Sequence, residues 1–182
     1  RGEQLIGPDG NQLVMEFLSS SPAFERIVLP YVKNLRLLGI EASFRLVDPA
    51  QFQKRVNDFD FDIVGHRFTL TPTLGSSIQN FWTSESAETF GSYNLSGIRL
   101  PAIDDLVEKA INASSRQEMV TAARALDRVL RAGFYWVPQW FKASHTVALW
   151  DMFGIPTDMP AYDFPVETTW WVDMEKAARI GK

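Results

Sequence analysis

Strand-like and helix-like sequence patterns alternate across residues 12–65, and this order limits the possible folds more than any other feature of the chain. The strand segments alternate apolar and polar side chains, whereas the helix segments repeat apolar side chains at steps of three and four. We predict strands over 12–18, 40–47 and 59–64 and helices over 23–38 and 50–57. Strands connected through helices in this order are parallel, with right-handed crossovers. The sequence therefore predicts an α/β fold with an open βαβαβ sheet flanked by helices.

Capping residues indicate where several helices begin and end. Ser21 and Asp48 each precede a proline, and a Ser or Asp N-cap followed by proline is a common helix start. Gly39 suits the left-handed turn that follows a helix, and Ser115 with Glu118 forms a capping-box pattern. We predict a short helix over 76–82 and two long helices over 101–113 and 115–132.

The segment 66–100 is polar and contains several embedded aromatic side chains. It follows the third predicted strand, and ligands of open α/β sheets commonly bind at the carboxyl ends of the strands. A site for a polar ligand needs a few fixed hydrogen-bonding groups among apolar walls. The candidate ligand-binding residues are therefore His66, Arg67, Phe68, Trp82, Tyr93 and Asn94.

Some of these candidates also have a structural interpretation. Arg67 could hold a carboxylate with its planar fork of donors, and Trp82 could stack on a flat group of a ligand. Arg67, Trp82 and Asn94 fit a ligand-binding role and a purely structural role equally well. For Phe81, packing against the core is the better interpretation.

Composition argues against several classes of function. The chain has 182 residues, with 18 basic and 22 acidic side chains and a net charge of -4. It contains no run of lysines and arginines, so we expect no nucleic-acid partner. It has no cysteine, which excludes disulfides and thiolate zinc sites, and no apolar stretch of the roughly 18 residues that a membrane span needs. The motifs of P-loop, dinucleotide-binding, HExxH and GxSxG proteins are absent, and we expect no catalytic residue, metal or cofactor.

One enzymatic alternative rests on carboxylates beside a histidine. Asp58, Asp60 and Asp62 alternate with apolar residues along the third predicted strand, and His66 follows it. A hydrolase would need Asp60, Asp62 and His66 to meet in one cleft. We favour a strand with one solvated face, because the alternation alone explains the pattern.

The C-terminal part is rich in proline and tryptophan. We predict a hairpin with strands over 134–142 and 145–150, then an irregular segment over 151–171 and a weak helix over 173–180. A carbohydrate-binding module would need three coplanar exposed indole rings. We favour packing of the hairpin against the tail, with most of these rings buried. The tryptophans concerned are Trp136, Trp140, Trp150, Trp170 and Trp171.

Several short strings, in their order along the chain, resemble the C-terminal part of the family 5 extracellular solute-binding proteins. These are the receptors of oligopeptide and dipeptide ABC importers, and the YejA-like branch is the most similar. The strings are PAFER (22–26), LGI (38–40), VDPAQFQ (47–53), DFDFD (58–62), FW (81–82), GI (97–98), PAID (101–104), ALDRVL (125–130), VPQW (137–140), WDMFG (150–154) and TWW (169–171).

The resemblance implies a periplasmic receptor without enzymatic activity whose two lobes close over a peptide or peptide-like solute and deliver it to a membrane permease. It implies that residues 1–142 form the C-terminal lobe, with the fold of a type II periplasmic binding protein. Residues 143–182 would then form a hairpin strand and a tail that returns toward the missing N-terminal lobe. The first residues, Arg1-Gly2-Glu3-Gln4, lack an initiator Met and a signal-peptide pattern, so we expect a piece of a longer protein.

Two segments depart from the pattern of the family. Relatives often carry a Ser-Pro-Gly-Asn-Glu-Gln type of segment where this chain has TPTLGSSIQN over 71–80. They also tend to carry Gly-Ser-Arg-Asn-Tyr where this chain has GSYNL over 91–95. Both departures lie in the loop that we expect to face the ligand, so the class of ligand is the property that the resemblance transfers least well.

Overall fold

The structure is a computed structural model that describes residues 3–68, 74–141, 144–160 and 163–181. The chain divides into two compact units, residues 1–136 and 137–182. The boundary of the proposed lobe at residue 142, which rests on the family resemblance, stays a prediction.

The first unit contains a three-stranded parallel sheet. Its strands are β1 (Val14–Ser19), β2 (Glu41–Leu46) and β3 (Ile63–Val64), and their order in the sheet is β2-β1-β3. Phe17 of β1 lies opposite Phe44 on one side and Ile63 on the other. The predicted βαβαβ arrangement with parallel strands is confirmed.

Strand β3 is shorter than the predicted segment 59–64 because the residues before it close the preceding helix. Phe59 adopts a positive φ of 57°, and its backbone N–H donates to the Val56 carbonyl at 3.1 Å. The next N–H, that of Asp60, donates to the Arg55 carbonyl at 2.8 Å. The alternation over 59–62 is therefore a chain reversal and not strand pairing.

Two helices connect the strands: α1 (Glu25–Leu37), entered through a 3₁₀ turn at Pro22–Phe24, and α2 (Pro49–Asn57). The Asp48 side chain caps α2, accepting the N–H groups of Ala50 and Gln51 at 2.9 Å each. Gly39 has a φ of 83° and ends α1 as predicted. The Ser21 side chain caps nothing, although Pro22 begins the 3₁₀ turn. Buried Val32 and Leu35 of α1 pack with Ile40 and Ala42 against one face of the sheet.

A second core forms around three further helices, α3 (Gln79–Trp82), α4 (Pro101–Ile111) and α5 (Arg116–Ala132). The Ser115 hydroxyl accepts the Glu118 N–H at 3.2 Å, and the Glu118 carboxylate accepts the Ser114 N–H at 2.8 Å, so the predicted capping pair forms. The buried core consists of Ile78, Trp82, Ile98, Ile103, Val107, Ala110, Leu126 and Leu130.

The second unit contains a short antiparallel pair, β4 (Phe153–Gly154) and β5 (Trp171–Val172). Helix α6 (Val166–Thr169) precedes β5, and α7 (Met174–Arg179) falls within the predicted weak helix. No helix in the described part of the chain is long and apolar enough to cross a membrane.

The predicted hairpin over 134–142 and 145–150 is wrong, because the described residues of both segments form no strand. Phe134 adopts a positive φ of 51°, which interrupts an extended run at its start. Pro138 also removes one backbone donor from the predicted ladder. Residues 142 and 143, at the predicted turn, lie outside the described residues.

Candidate functional site

The candidate site begins where β3 ends. Strand β1 leads through α1 to β2 on one side, and β3 lies on the other side of β1, so the order of strands reverses at β1. Open α/β sheets bind ligands at such a reversal, outside the carboxyl ends of the strands. His66, Arg67 and Phe68 follow β3 directly at this position.

Six rings from four separate segments meet at this position, and we call them the aromatic cluster: His66, Phe68, Phe81, Trp82, Tyr93 and Trp136. The ring centroids of Phe68 lie 5.3 Å from Trp82 and 5.6 Å from Trp136, and Trp82 lies 5.3 Å from Trp136. The Tyr93 ring stacks on Phe81 with centroids 5.1 Å apart and an angle of 19° between the planes. His66 lies 4.8 Å from Phe68 and 5.9 Å from Tyr93.

The members of the aromatic cluster differ in their exposure to solvent. Trp82 is only 7% exposed and belongs to the core, whereas Phe68 is 40% and Tyr93 49% exposed. His66 is also exposed. We call the three exposed members, His66, Phe68 and Tyr93, the aromatic lip. It offers apolar ring surface that the fold itself does not cover.

Desolvation by the surrounding protein lowers the pKa of His66 below its ordinary value of 6.5, although part of the residue is exposed. The physical cause is that removal from water penalises the charged imidazolium. His66 is therefore neutral at pH 7, and its ring behaves as an aromatic side chain with two polar nitrogens.

Arg67 is exposed beside the aromatic lip. No carboxylate among the described residues forms an ion pair with it, whereas Arg55 pairs with both Glu16 and Asp60. A guanidinium has five donors in a planar fork that fits a carboxylate. Arg67 is thus an exposed cation on the segment that also carries His66 and Phe68.

Asn94 has a structural position. It is 1% exposed, and its amide nitrogen donates to the carbonyl oxygens of Thr83 at 3.0 Å and Ile98 at 2.9 Å. Its amide oxygen accepts the Ile98 N–H at 2.9 Å. Asn94 therefore shapes the loop that carries Tyr93, and its buried amide is not presented to solvent.

Trp82 likewise contributes from below the surface, because its buried ring supports Phe68 in the aromatic cluster. The structure thus brings His66, Phe68, Trp82 and Tyr93 together and keeps Arg67 beside them. Their roles in ligand binding remain a prediction.

The sequence pattern predicts a hairpin at Trp136 and gives no sign that this residue joins the aromatic cluster. The chain turns at Phe134 after α5, and the Tyr135 carbonyl accepts the Ser96 hydroxyl at 3.1 Å. This bond joins the residues after α5 to the loop that carries Tyr93. No local pattern in the sequence signals the contact, because it links segments about forty residues apart.

Asp60 and Asp62, the carboxylates of the hydrolase alternative, each bond to a different partner. Asp60 accepts the Arg55 side chain at 2.8 Å, and Asp62 accepts the backbone N–H of Glu16 at 2.8 Å. His66 instead packs against rings. Within the described ranges, no three potential ligand side chains form a group that could hold a metal ion. Asp60, Asp62 and His66 thus each have other partners, and none of these contacts joins them into the group that the hydrolase alternative needs.

The expectation that most of the C-terminal tryptophans are buried is wrong for Trp140, Trp150 and Trp171, each more than half exposed. The helices and strands of the second unit have only two to six residues each, and most of its described residues are irregular. Trp170 is only partly covered, with its ring centroid 6.2 Å from Phe153 and 5.8 Å from Phe164.

Comparison with known proteins identifies relatives of the chain, although no family model matches it. A probable peptide-binding protein YejA of Agrobacterium fabrum is 42% identical over 172 residues, covering 94% of this chain and 28% of the relative. The YejA protein of Escherichia coli K12 is 34% identical over 182 residues, covering 99% of this chain and 30% of the relative. The chain thus spans less than a third of the length of these relatives.

The fold has counterparts among solved structures. The periplasmic binding protein DppA of Helicobacter pylori, in complex with the peptide STSA, superposes with a TM-score of 0.59 at 17% identity. The match covers 72% of this chain and 26% of that protein, and it shows the shared fold. The Agrobacterium relative and the Helicobacter protein are named as binding proteins and not as enzymes, in agreement with the non-enzymatic prediction. The chain is therefore similar, over nearly its whole length, to a segment of YejA-like family 5 solute-binding proteins that makes up a little over a quarter of their length.

Proposed function

We propose that residues 1–142 form the C-terminal lobe, and residues 143–182 a returning tail, of a longer periplasmic receptor that captures peptides or peptide-like solutes for a membrane permease of an ABC importer. One observation carries the proposal: His66, Arg67 and Phe68 leave β3 at the reversal of strand order, and Tyr93 joins them there. The names of two similar proteins, a probable peptide-binding protein and a peptide complex, support peptides as the class of ligand.

The proposed roles follow from the chemistry of each side chain. Arg67 would hold a carboxylate of the peptide through two parallel hydrogen bonds. The aromatic lip would cover an apolar part of the ligand. The other three members of the aromatic cluster, of which Trp82 is buried, would keep the lip in place. Asn94 would act through the loop and not by contact, because its amide is already bonded within the protein.

Capture would depend on closure of two lobes over the ligand. A ligand shifts an equilibrium between open and closed forms only through contacts that exist in the closed form. The site described above would supply one side of the cleft, and the rest of the receptor would supply the other. The isolated chain is therefore expected to bind peptides weakly or not at all.

Calorimetric titration of a receptor of the relatives' length that carries this segment would test the proposal, with a library of short peptides as ligands. Dissociation constants in the micromolar range or tighter for peptides are the expected result. Binding of sugars or metal chelates alone, with no response to any peptide, would overturn it. Arg67→Ala should weaken the binding of peptides with a free carboxylate by roughly tenfold or more, as loss of a charge-assisted pair implies.

A further inference from the structure

The aromatic lip has the geometry of an incomplete ring stack. Phe81 stacks against Tyr93 with nearly parallel planes, yet Tyr93 remains 49% exposed. Phe81 can cover only one face of Tyr93, and the tilted His66 ring, 5.9 Å away, covers Tyr93 only in part, since Tyr93 is half exposed. The arrangement therefore leaves ring surface of Tyr93 to which another planar group can add, at the ring spacing already present in the cluster.

Tyr93 is held in place by the backbone around it. Its N–H donates to the Asn80 carbonyl at 3.1 Å, and the next residue, Asn94, is buried and bonded through its side chain. On the other side, the buried Ser92 hydroxyl donates to the Ser86 carbonyl at 2.6 Å. A ring fixed in this way loses little conformational freedom when a ligand binds.

The chemistry of the aromatic lip selects for an apolar planar group. Phe68 and Tyr93 offer ring surface, and the neutral His66 ring adds a third aromatic side chain between them. The six members of the aromatic cluster include no carboxylate and no lysine or arginine. The cluster itself therefore offers a charged side chain of a ligand no ion-pair partner, and the neighbouring Arg67 could pair only with an anionic group.

We infer that the aromatic lip is a subsite for an aromatic side chain of the bound peptide, with Tyr93 as the ring that stacks on it. This inference rests on the proposed peptide-binding function. It adds a preference among peptides, because a receptor that recognises only the peptide backbone would bind aromatic and aliphatic peptides alike.

The test compares Ala-Phe-Ala with Ala-cyclohexylalanine-Ala by calorimetry, in a receptor of the relatives' length that carries this segment. The two side chains have similar size, and only the first is aromatic. An aromatic pair is worth about 0.5–1.5 kcal/mol beyond burial, so the aromatic peptide should bind about 2- to 10-fold more tightly. Tyr93→Leu should abolish this difference. Phe90→Leu should keep it, because Phe90 lies on the same loop, is 69% exposed and is outside the aromatic cluster.

Equal binding of the two peptides to the unmodified receptor would overturn the subsite and leave the peptide-binding function standing. Failure of every peptide to bind would overturn the proposed function and the subsite with it. A preference that survives Tyr93→Leu would also overturn the inference. If Tyr93→Leu does not fold, NMR of the unmodified receptor decides: contacts between the ligand ring and the Tyr93 ring support the subsite, and their absence contradicts it.

Discussion

Asn94 and Ile98 pair through two hydrogen bonds. The side-chain amide of Asn94 bonds to both the carbonyl and the N–H of Ile98, as the backbone of a neighbouring strand would. The Asn94 amide nitrogen donates to the Ile98 carbonyl, and its amide oxygen accepts the Ile98 N–H, both at 2.9 Å. The turn between them uses Gly97 at a φ of 61°, whose N–H donates to the Asn94 carbonyl at 3.0 Å. This pairing holds the loop that presents Tyr93.

Asn94→Ala should lower the free energy of unfolding by about 2–4 kcal/mol, because it leaves the buried N–H of Ile98 unpaired and removes a second bond to Thr83. Urea unfolding of the chain measures the loss. The exposed Asn112 is the matched control, and Asn112→Ala should change stability by no more than about 0.5 kcal/mol. Equal effects of the two substitutions would contradict a bracing role for Asn94.

Asp104 ties the loop to the start of α4, since its carboxylate accepts both the N–H and the hydroxyl of Ser84, at 2.7 and 2.6 Å. Asp104→Ala should therefore lower the free energy of unfolding by about 1–3 kcal/mol. The adjacent Asp105 is exposed, and Asp105→Ala should lower it by only about 0.5 kcal/mol, through loss of a favourable interaction with the helix dipole. Thermal unfolding of both variants distinguishes these outcomes. A larger effect at Asp105 would show that helix-dipole charge, and not the Ser84 contact, is what matters.

The lowered pKa of His66 predicts a pH dependence of stability. Because the folded protein resists protonation of His66, the unfolded state binds the proton more readily once the pH falls below about 6.5. The contribution of neutral His66 to the free energy of unfolding is thus present above that pH. It is lost as the pH falls through the pKa that His66 has in the folded protein. His66→Gln should flatten this part of the curve of unfolding free energy against pH. Identical slopes for both proteins between pH 7 and 5 would refute the prediction.

Gly154 lies opposite Trp171 in the β4–β5 pair, and a Cβ added there would overlap the Trp171 indole ring. Gly154→Ala should therefore weaken the pair by about 1–3 kcal/mol, as overpacking does, and speed amide hydrogen exchange at β4 and β5. The control is Gly75→Ala, where a Cβ would meet open space, and this change should be neutral or slightly stabilising. Unchanged exchange at β4 and β5 in Gly154→Ala would show that Trp171 moves aside freely.

Local patterns in the sequence predict the elements whose stability depends on near neighbours. The steps of three and four place α1, α4 and α5, and Asp48 and Ser115 cap their helices as predicted. The failures involve contacts between distant segments. The segment 134–150 has strand-like composition, yet a strand needs a partner, and the pair in that part of the chain forms between β4 and β5.

The candidate site likewise combines a feature that the sequence predicts with contacts that only the fold determines. Its position at the end of β3 follows from the predicted βαβαβ pattern, because ligands bind at the carboxyl ends of parallel strands. The reversal of strand order at β1 is a feature of the folded sheet. The opposite roles of Tyr93 and Asn94, one exposed and one buried, do not follow from their adjacent positions. They depend on whether Thr83 and Ile98 lie within reach of the amide, which only the folded loop determines.

Photo-crosslinking of a bound peptide tests the central claim most directly. A tripeptide with benzoylphenylalanine at its centre would be bound to a receptor of the relatives' length that carries this segment, irradiated and mapped by mass spectrometry. Within this segment, the account predicts adducts at His66, Arg67, Phe68 or Tyr93, and their loss when unlabelled Ala-Phe-Ala is added in excess. Saturable binding with adducts confined to other surfaces of the segment, such as the outer faces of α4 and α5, would contradict it.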